Sequence, residues 1–160
     1  MPLLHTLRIS SCSEEIVHFV PDFASLHTLF LSECTSLVDL RCLSALHTLS
    51  LENCPLLTDV TALRSVHTLS LARCRGVVDV RDLGRVHSLN LSETNVENVE
   101  ALASVHTLLL SKCVCLKDVS ALIYVHTLDV SYCEHIDDVS TLGNCMVLTL
   151  KYCQGITGTC

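Results

Sequence analysis

A twenty-residue self-similarity constrains this chain more than any other feature. Five consecutive segments read LHTLSLENCPLLTDVTALRS, VHTLSLARCRGVVDVRDLGR, VHSLNLSETNVENVEALAS, VHTLLLSKCVCLKDVSALIY and VHTLDVSYCEHIDDVSTLGN, beginning at Leu46, Val66, Val86, Val105 and Val125. Earlier copies begin at Leu26 and, imperfectly, at Leu4, and a partial copy begins at Cys145. The start-to-start spacings are 22, 20, 20, 20, 19, 20 and 20 residues, which makes eight copies. One such unit cannot bury its own apolar side, but stacked units cover one another. We therefore expect residues 1–160 to form a single domain of eight stacked units, the first distorted and the last truncated.

In the unit from Leu46, Leu49 and Leu51 alternate with Thr48, Ser50 and Glu52, the period of a short strand. Cys54, Leu57, Val60 and Leu63 then recur every third residue, which fits turns or one 3₁₀ turn better than a long helix. Parallel strands about 4.8 Å apart would give a curved rod roughly 34 Å long. The unit from Val86 has Thr94-Asn95-Val96 where others have Cys-x-x-Val, and is one residue short. The first unit, through CSEEIVHFVPDF, is two residues long and puts Glu15 at an aliphatic position.

Composition narrows the function. The chain is 49% hydrophobic, too apolar for a disordered tail. Seventeen acidic against ten basic residues give a charge of −7, which argues against binding a phosphate backbone. The arginines Arg64, Arg73, Arg75, Arg81 and Arg85 scatter over convex, loop and concave positions, as a solvated surface does. No apolar run reaches the roughly 18–20 residues of a membrane span. MPLLHTLRIS shows no basic segment followed by an apolar one, so no secretory signal is visible.

The motif LHTLSLENCPLLTD resembles the leucine-rich repeat in its cysteine-containing form, and the likeness covers roughly residues 3–157. The resemblance implies an α/β-type solenoid: a leucine-rich repeat arc with a parallel β-sheet on the concave side and short turns or 3₁₀ segments on the convex side. It further implies a non-enzymatic protein–protein interaction scaffold, holding another protein on the concave sheet. Ubiquitin-ligase members of that family carry an F-box upstream, and no such segment is found here. A structural spacer or decayed array without a dedicated partner is one alternative. An extracellular recognition or adhesion repeat is another.

In a stacked array, equivalent residues form columns. The cysteine column is Cys12, Cys34, Cys54, Cys74, Cys113, Cys133 and Cys153. Its side chains should point in parallel, which disfavours disulfides and zinc and favours buried, reduced thiols bonded to backbone carbonyls. Reduced thiols imply a reducing compartment, hence a cytoplasmic location. Of the other four, Cys145 fills an aliphatic core slot, Cys115 belongs to a C-x-C too weak to signal metal, and Cys42 and Cys160 should be the more exposed.

The histidine column, His5, His27, His47, His67, His87, His106 and His126, should stack as neutral rings along one edge with depressed pKa values. The aspartate column, Asp39, Asp59, Asp79, Asp118 and Asp138 with Asn98 in the short unit, should cap the turns that follow, a better account than calcium. We expect no metal and no cofactor. The chain shows no phosphate loop, no G-x-S-x-G and no H-E-x-x-H, and is not expected to be an enzyme.

Partner contacts are expected where columns vary. Tyr132 and Tyr152 should stack, with Lys112 one rung back, Asp129 and Lys151 nearby and Leu109 on the same face. Phe30 with Arg8 and Glu33 is a second patch. The C-terminal YCQGITGTC has Gly158 where Asp belongs, so an uncapped end that self-associates is also expected.

Overall fold

The computed structural model describes residues 4–11 and 25–156. Eight strands lie side by side: β1 (Thr6–Ser10), β2 (Thr28–Ser32), β3 (Thr48–Glu52), β4 (Thr68–Ser70), β5 (Ser88–Asn90), β6 (Thr107–Leu109), β7 (Thr127–Asp129) and β8 (Val147–Thr149). They form one parallel sheet in chain order. The register aligns equivalent residues rung on rung, for example Thr28 with Thr48 and Leu29 with Leu49. The convex return of each unit is short, with 3₁₀ turns at Arg41–Leu43, Thr61–Leu63, Arg81–Leu83, Glu100–Leu102 and Ser140–Asn144. Twenty residues leave no room for a full helix there. The result is the expected arc, with the sheet on its concave side.

Alternation within the strands decides what is buried. Leu29, Leu49, Leu69, Leu89, Leu108 and Leu128 turn inward and stack with the leucines, valines and cysteines of the turns into one continuous core. The distorted first-unit segment, with Cys12 and Glu15, lies outside the described residues, as do Gly158 and Cys160.

Inside the core the thiols do the predicted work. Cys74 Sγ donates to the Leu51 carbonyl one rung back at 3.0 Å, Cys113 to Leu91 at 3.1 Å and Cys133 to Leu110 at 3.1 Å. Burial pushes the Cys133 thiol up to about 12 and raises Cys113. In the short unit Thr94 stands in the column, and its hydroxyl donates to the Leu91 carbonyl at 2.6 Å. Cys34 corrects the expectation of free thiols throughout: it is disulfide-bonded. Parallel side chains in regular rungs disfavour such a bond, but Cys34 borders the first unit, whose two extra residues break the regular spacing. Cys42 is exposed as expected, while Cys115 and Cys145 are half-buried.

The aspartate column caps as predicted, one residue earlier than a standard N-cap. Asp59 Oδ1 accepts the Thr61 N–H at 2.9 Å, and Asp118 and Asp138 accept those of Ser120 and Ser140 at 2.8 Å. Asn98 does the same for Glu100 at 2.9 Å. Asp39 and Asp79 add ion pairs to Arg41 and Arg81. The backbone N–H of Thr61 holds the Asp59 carboxyl below its ordinary range, and the Arg81 side chain does so for Asp79.

Candidate concave and rim surface

Each strand is followed by a residue in the left-handed region. Ser11, Glu33, Asn53, Arg73, Glu93, Lys112, Tyr132 and Tyr152 all have φ between 55° and 63°. The backbone must turn a corner there without leaving the ladder. Accordingly the N–H of Arg73 still donates to Ser92 O at 2.9 Å, that of Lys112 to Ser131 O at 2.8 Å and that of Tyr132 to Lys151 O at 2.7 Å. Glycine or asparagine suits this conformation best, and other residues are strained in it. Only Asn53 meets that preference.

The side chains so presented form a rim, in contact with one another from Arg73 to Tyr152. Arg73 reaches Glu52 at 3.3 Å and Glu93 at 3.5 Å. Lys112 Nζ lies 3.4 Å from Glu93 and 5.9 Å from the centre of the Tyr132 ring. Tyr132 and Tyr152 stack with centroids 4.9 Å apart. Lys112 beside it and Arg73 beyond hold the Glu93 carboxyl below its ordinary value, against a burial effect of opposite sign. Beside this rim runs an open groove of about 530 Å³ lined by Arg75, Asn95, Lys112, Val114, Tyr132 and Glu134, among others.

The residues singled out from sequence fall into two places. Lys112 lies over Tyr132, which in turn stacks on Tyr152. Asp129 and Leu109 pair across β6 and β7 on the concave face, where Asp129 Oδ1 accepts the Ser131 N–H at 2.9 Å. Lys151 follows β8, its N–H donating to Ser131 Oγ at 3.2 Å. At the other end the Arg8 guanidinium lies 3.6 Å from the centre of the Phe30 ring, and Ser11 Oγ donates to Glu33 at 3.3 Å. Arg73 and Glu93 stand in the same variable column as Lys112 and the tyrosines, but sequence reasoning missed Glu52 and the ion pairs that join Glu52, Arg73, Glu93 and Lys112. The alternation Glu33, Arg73, Glu93, Lys112 along one column was the available signal.

On the opposite edge, where the chain climbs into each strand, six imidazoles stack from His27 to His126 with centroids 4.4–4.7 Å apart. Hydrogen bonds link neighbouring histidines through the backbone, His47 N–H donating to His27 O at 3.2 Å and His67 N–H to His47 O at 3.0 Å, and not from ring to ring. Instead Nδ1 of His27, His47, His106 and His126 meets the hydroxyl of the following threonine at 3.2–3.4 Å. Partial burial and the neighbouring rings lower the pKa of His47 and His106. Among the described residues the column cysteines face the core and the ladder histidines face solvent, so the two columns form no Cys–His pair. Among the described residues, no three His, Cys, Asp or Glu converge to hold a metal, and no helix is long and apolar enough to cross a membrane.

Compared with protein-family profiles and with curated protein sequences, the chain finds no match. Its fold does recur among solved structures. An internalin C2 from Listeria monocytogenes aligns with 21% identity and a TM-score of 0.58, over 91% of this chain and 80% of that one. An internalin (inlF) from the same organism aligns with 15% identity and a TM-score of 0.50, over 93% of this chain and 62% of that one, less than two thirds of its length. At this identity the likeness shows the fold: a leucine-rich repeat arc of the kind found in internalins. It is a repeat-based fold. The cytoplasmic location expected from free thiols is overturned, since internalins are extracellular, cell-surface proteins. Its premise of free thiols throughout the column also fails at Cys34.

Proposed function

We propose that this chain is a recognition repeat of the adhesion type, which holds another protein against its concave sheet and the adjoining rim. On this reading residues 1–160 form one array of eight units, in the short cysteine-containing style of leucine-rich repeat. The observation that carries it is the left-handed column. Strained backbone that persists with unsuitable residues concentrates at binding sites. Here Glu, Arg, Lys and Tyr occupy positions that glycine or asparagine would fill at lower cost, and each projects its side chain onto the rim. Tyrosine stacked on tyrosine supplies rigid area with a polar tip, the composition of interface hot spots.

Charge supports a binding mode set by shape. The sheet and rim carry Arg8, Arg73, Lys112 and Lys151 against Glu33, Glu52, Glu93 and Asp129, so this face is electrically balanced within a chain of charge −7. Association there should depend weakly on salt, because long-range steering needs a net field. The test is affinity capture on the immobilised chain, on a Y132A/Y152A variant and on V78S, which alters an exposed valine of the turn. The reading expects a protein retained by wild type and V78S and released by the tyrosine variant. Equal retention by all three would move the site elsewhere, and retention by none would favour the spacer.

A further inference from the structure

The edge where the chain climbs into each strand differs in charge from the rest of the molecule. Its segments 44–47, 64–67, 84–87, 103–106, 123–126 and 143–146 contain no carboxylate, although the chain has 17. They carry His47, His67, His87, His106 and His126, together with the exposed Arg64 and Arg85. Neither arginine takes part in an ion pair among the described residues. The turns below it bring Arg41, Arg81, Asp82 and Glu100, and at their starts the capping carboxylates Asp39, Asp59, Asp79, Asp118 and Asp138, of which Asp39 and Asp79 are paired with Arg41 and Arg81. The strands and their ends bring Arg8, Glu52, Asp129 and Lys151. Carboxylates on the far side of the arc act weakly here, since charges are screened beyond about 8 Å at physiological salt.

The geometry of the rings decides what could bind. Each interior imidazole has neighbours 4.4–4.7 Å away on both faces. Ring faces are thus occupied by other rings, and only edges, with their N–H groups, meet solvent. Single-stranded nucleic acid needs open aromatic faces for its bases. An extended row of N–H donors suits a string of anionic oxygens instead. Adjacent imidazolium ions repel at this spacing, and an anion lying along the row offsets that repulsion. Phosphomonoesters lose their second charge near pH 6, as the array gains its own, whereas a sulfate ester stays ionised.

We propose that this edge binds a linear sulfated polysaccharide in mildly acid solution, with the histidine ladder as the titrating strip and Arg64 and Arg85 as its fixed cations. The site lies on a different edge from the tyrosine rim and stands whether or not the rim binds a protein. Because coupling is reciprocal, the polysaccharide must raise the pKa of the ladder histidines by as much as their protonation strengthens binding.

Heparin is the probe. Binding of the whole chain, followed by fluorescence anisotropy, should be on the order of tenfold tighter at pH 5.5 than at 7.5. Arg64→Ser with Arg85→Ser, both outside the ring stack, should weaken it at either pH. His47→Gln with His106→Gln should reduce the pH dependence, and Y132A/Y152A should leave binding unchanged. Histidine titrations followed by NMR should move upward on adding heparin, which tests the wild-type chain even where a variant fails to fold. Equal affinity at the two pH values, unmoved titrations, or unchanged binding by the arginine variant would overturn the proposal. A single-stranded oligonucleotide bound as tightly as heparin would overturn its choice of ligand.

Discussion

Gly84 sits beside the short unit that starts at Val86, and a Cβ there would collide with the backbone carbonyl of Ala101. Backbone cannot step aside as a flexible side chain can, so Gly84→Ala should destabilise by about 1–3 kcal/mol in denaturant unfolding. The reverse is expected at Arg73, which is left-handed with φ 63°. Its ion pairs to Glu52 and Glu93 are largely exposed, and such pairs contribute little. Arg73→Asn should therefore raise the melting temperature by about 2–4 °C, and a lower value would show that the pairs outweigh the strain. Neither position was legible in the sequence. A left-handed residue is read from glycine or asparagine, and this column holds mostly other residues.

The elements were the most legible level. Alternating leucines announced each strand, and the three-residue spacing announced a turn in place of a helix. Asn98 isolates what its column contributes, because it accepts the Glu100 N–H without a charge. Asn98→Ala should cost about 0.5–2 kcal/mol, measured by denaturant unfolding. No change would mean that the aspartates act by charge alone. Spacing also showed which tyrosines would meet, since residues twenty apart become neighbours in a stack. It did not show that Glu93 binds both Arg73 and Lys112, because the reach of long side chains across rungs depends on the direction each takes at the corner.

For the whole molecule, the two ionisable columns predict two acid transitions. His47 and His106 have lowered pKa values in the fold. A lowered histidine contributes stability that is whole above its unfolded value near 6.5 and is lost as pH falls through the folded value. The aspartates Asp59, Asp79, Asp118 and Asp138 are lowered too, so their contribution is lost only in a second window, below about pH 4. Thermal melts should fall between about pH 7 and 5 and again below about pH 4. His47→Gln with His106→Gln should flatten the first step, and a flat wild-type melt there would refute it.

The amino-acid order alone determined the period, the inward leucine and cysteine columns, the rung-to-rung neighbours and the capping turns. All of these follow from repetition and local bonding, which a sequence states directly. Tertiary structure decided the left-handed corners, the chain of rim contacts, the disulfide at Cys34 and the bonding of histidine rings to the threonines beside them. Each depends on the angle at which one rung meets the next, a quantity fixed only when all the rungs pack together.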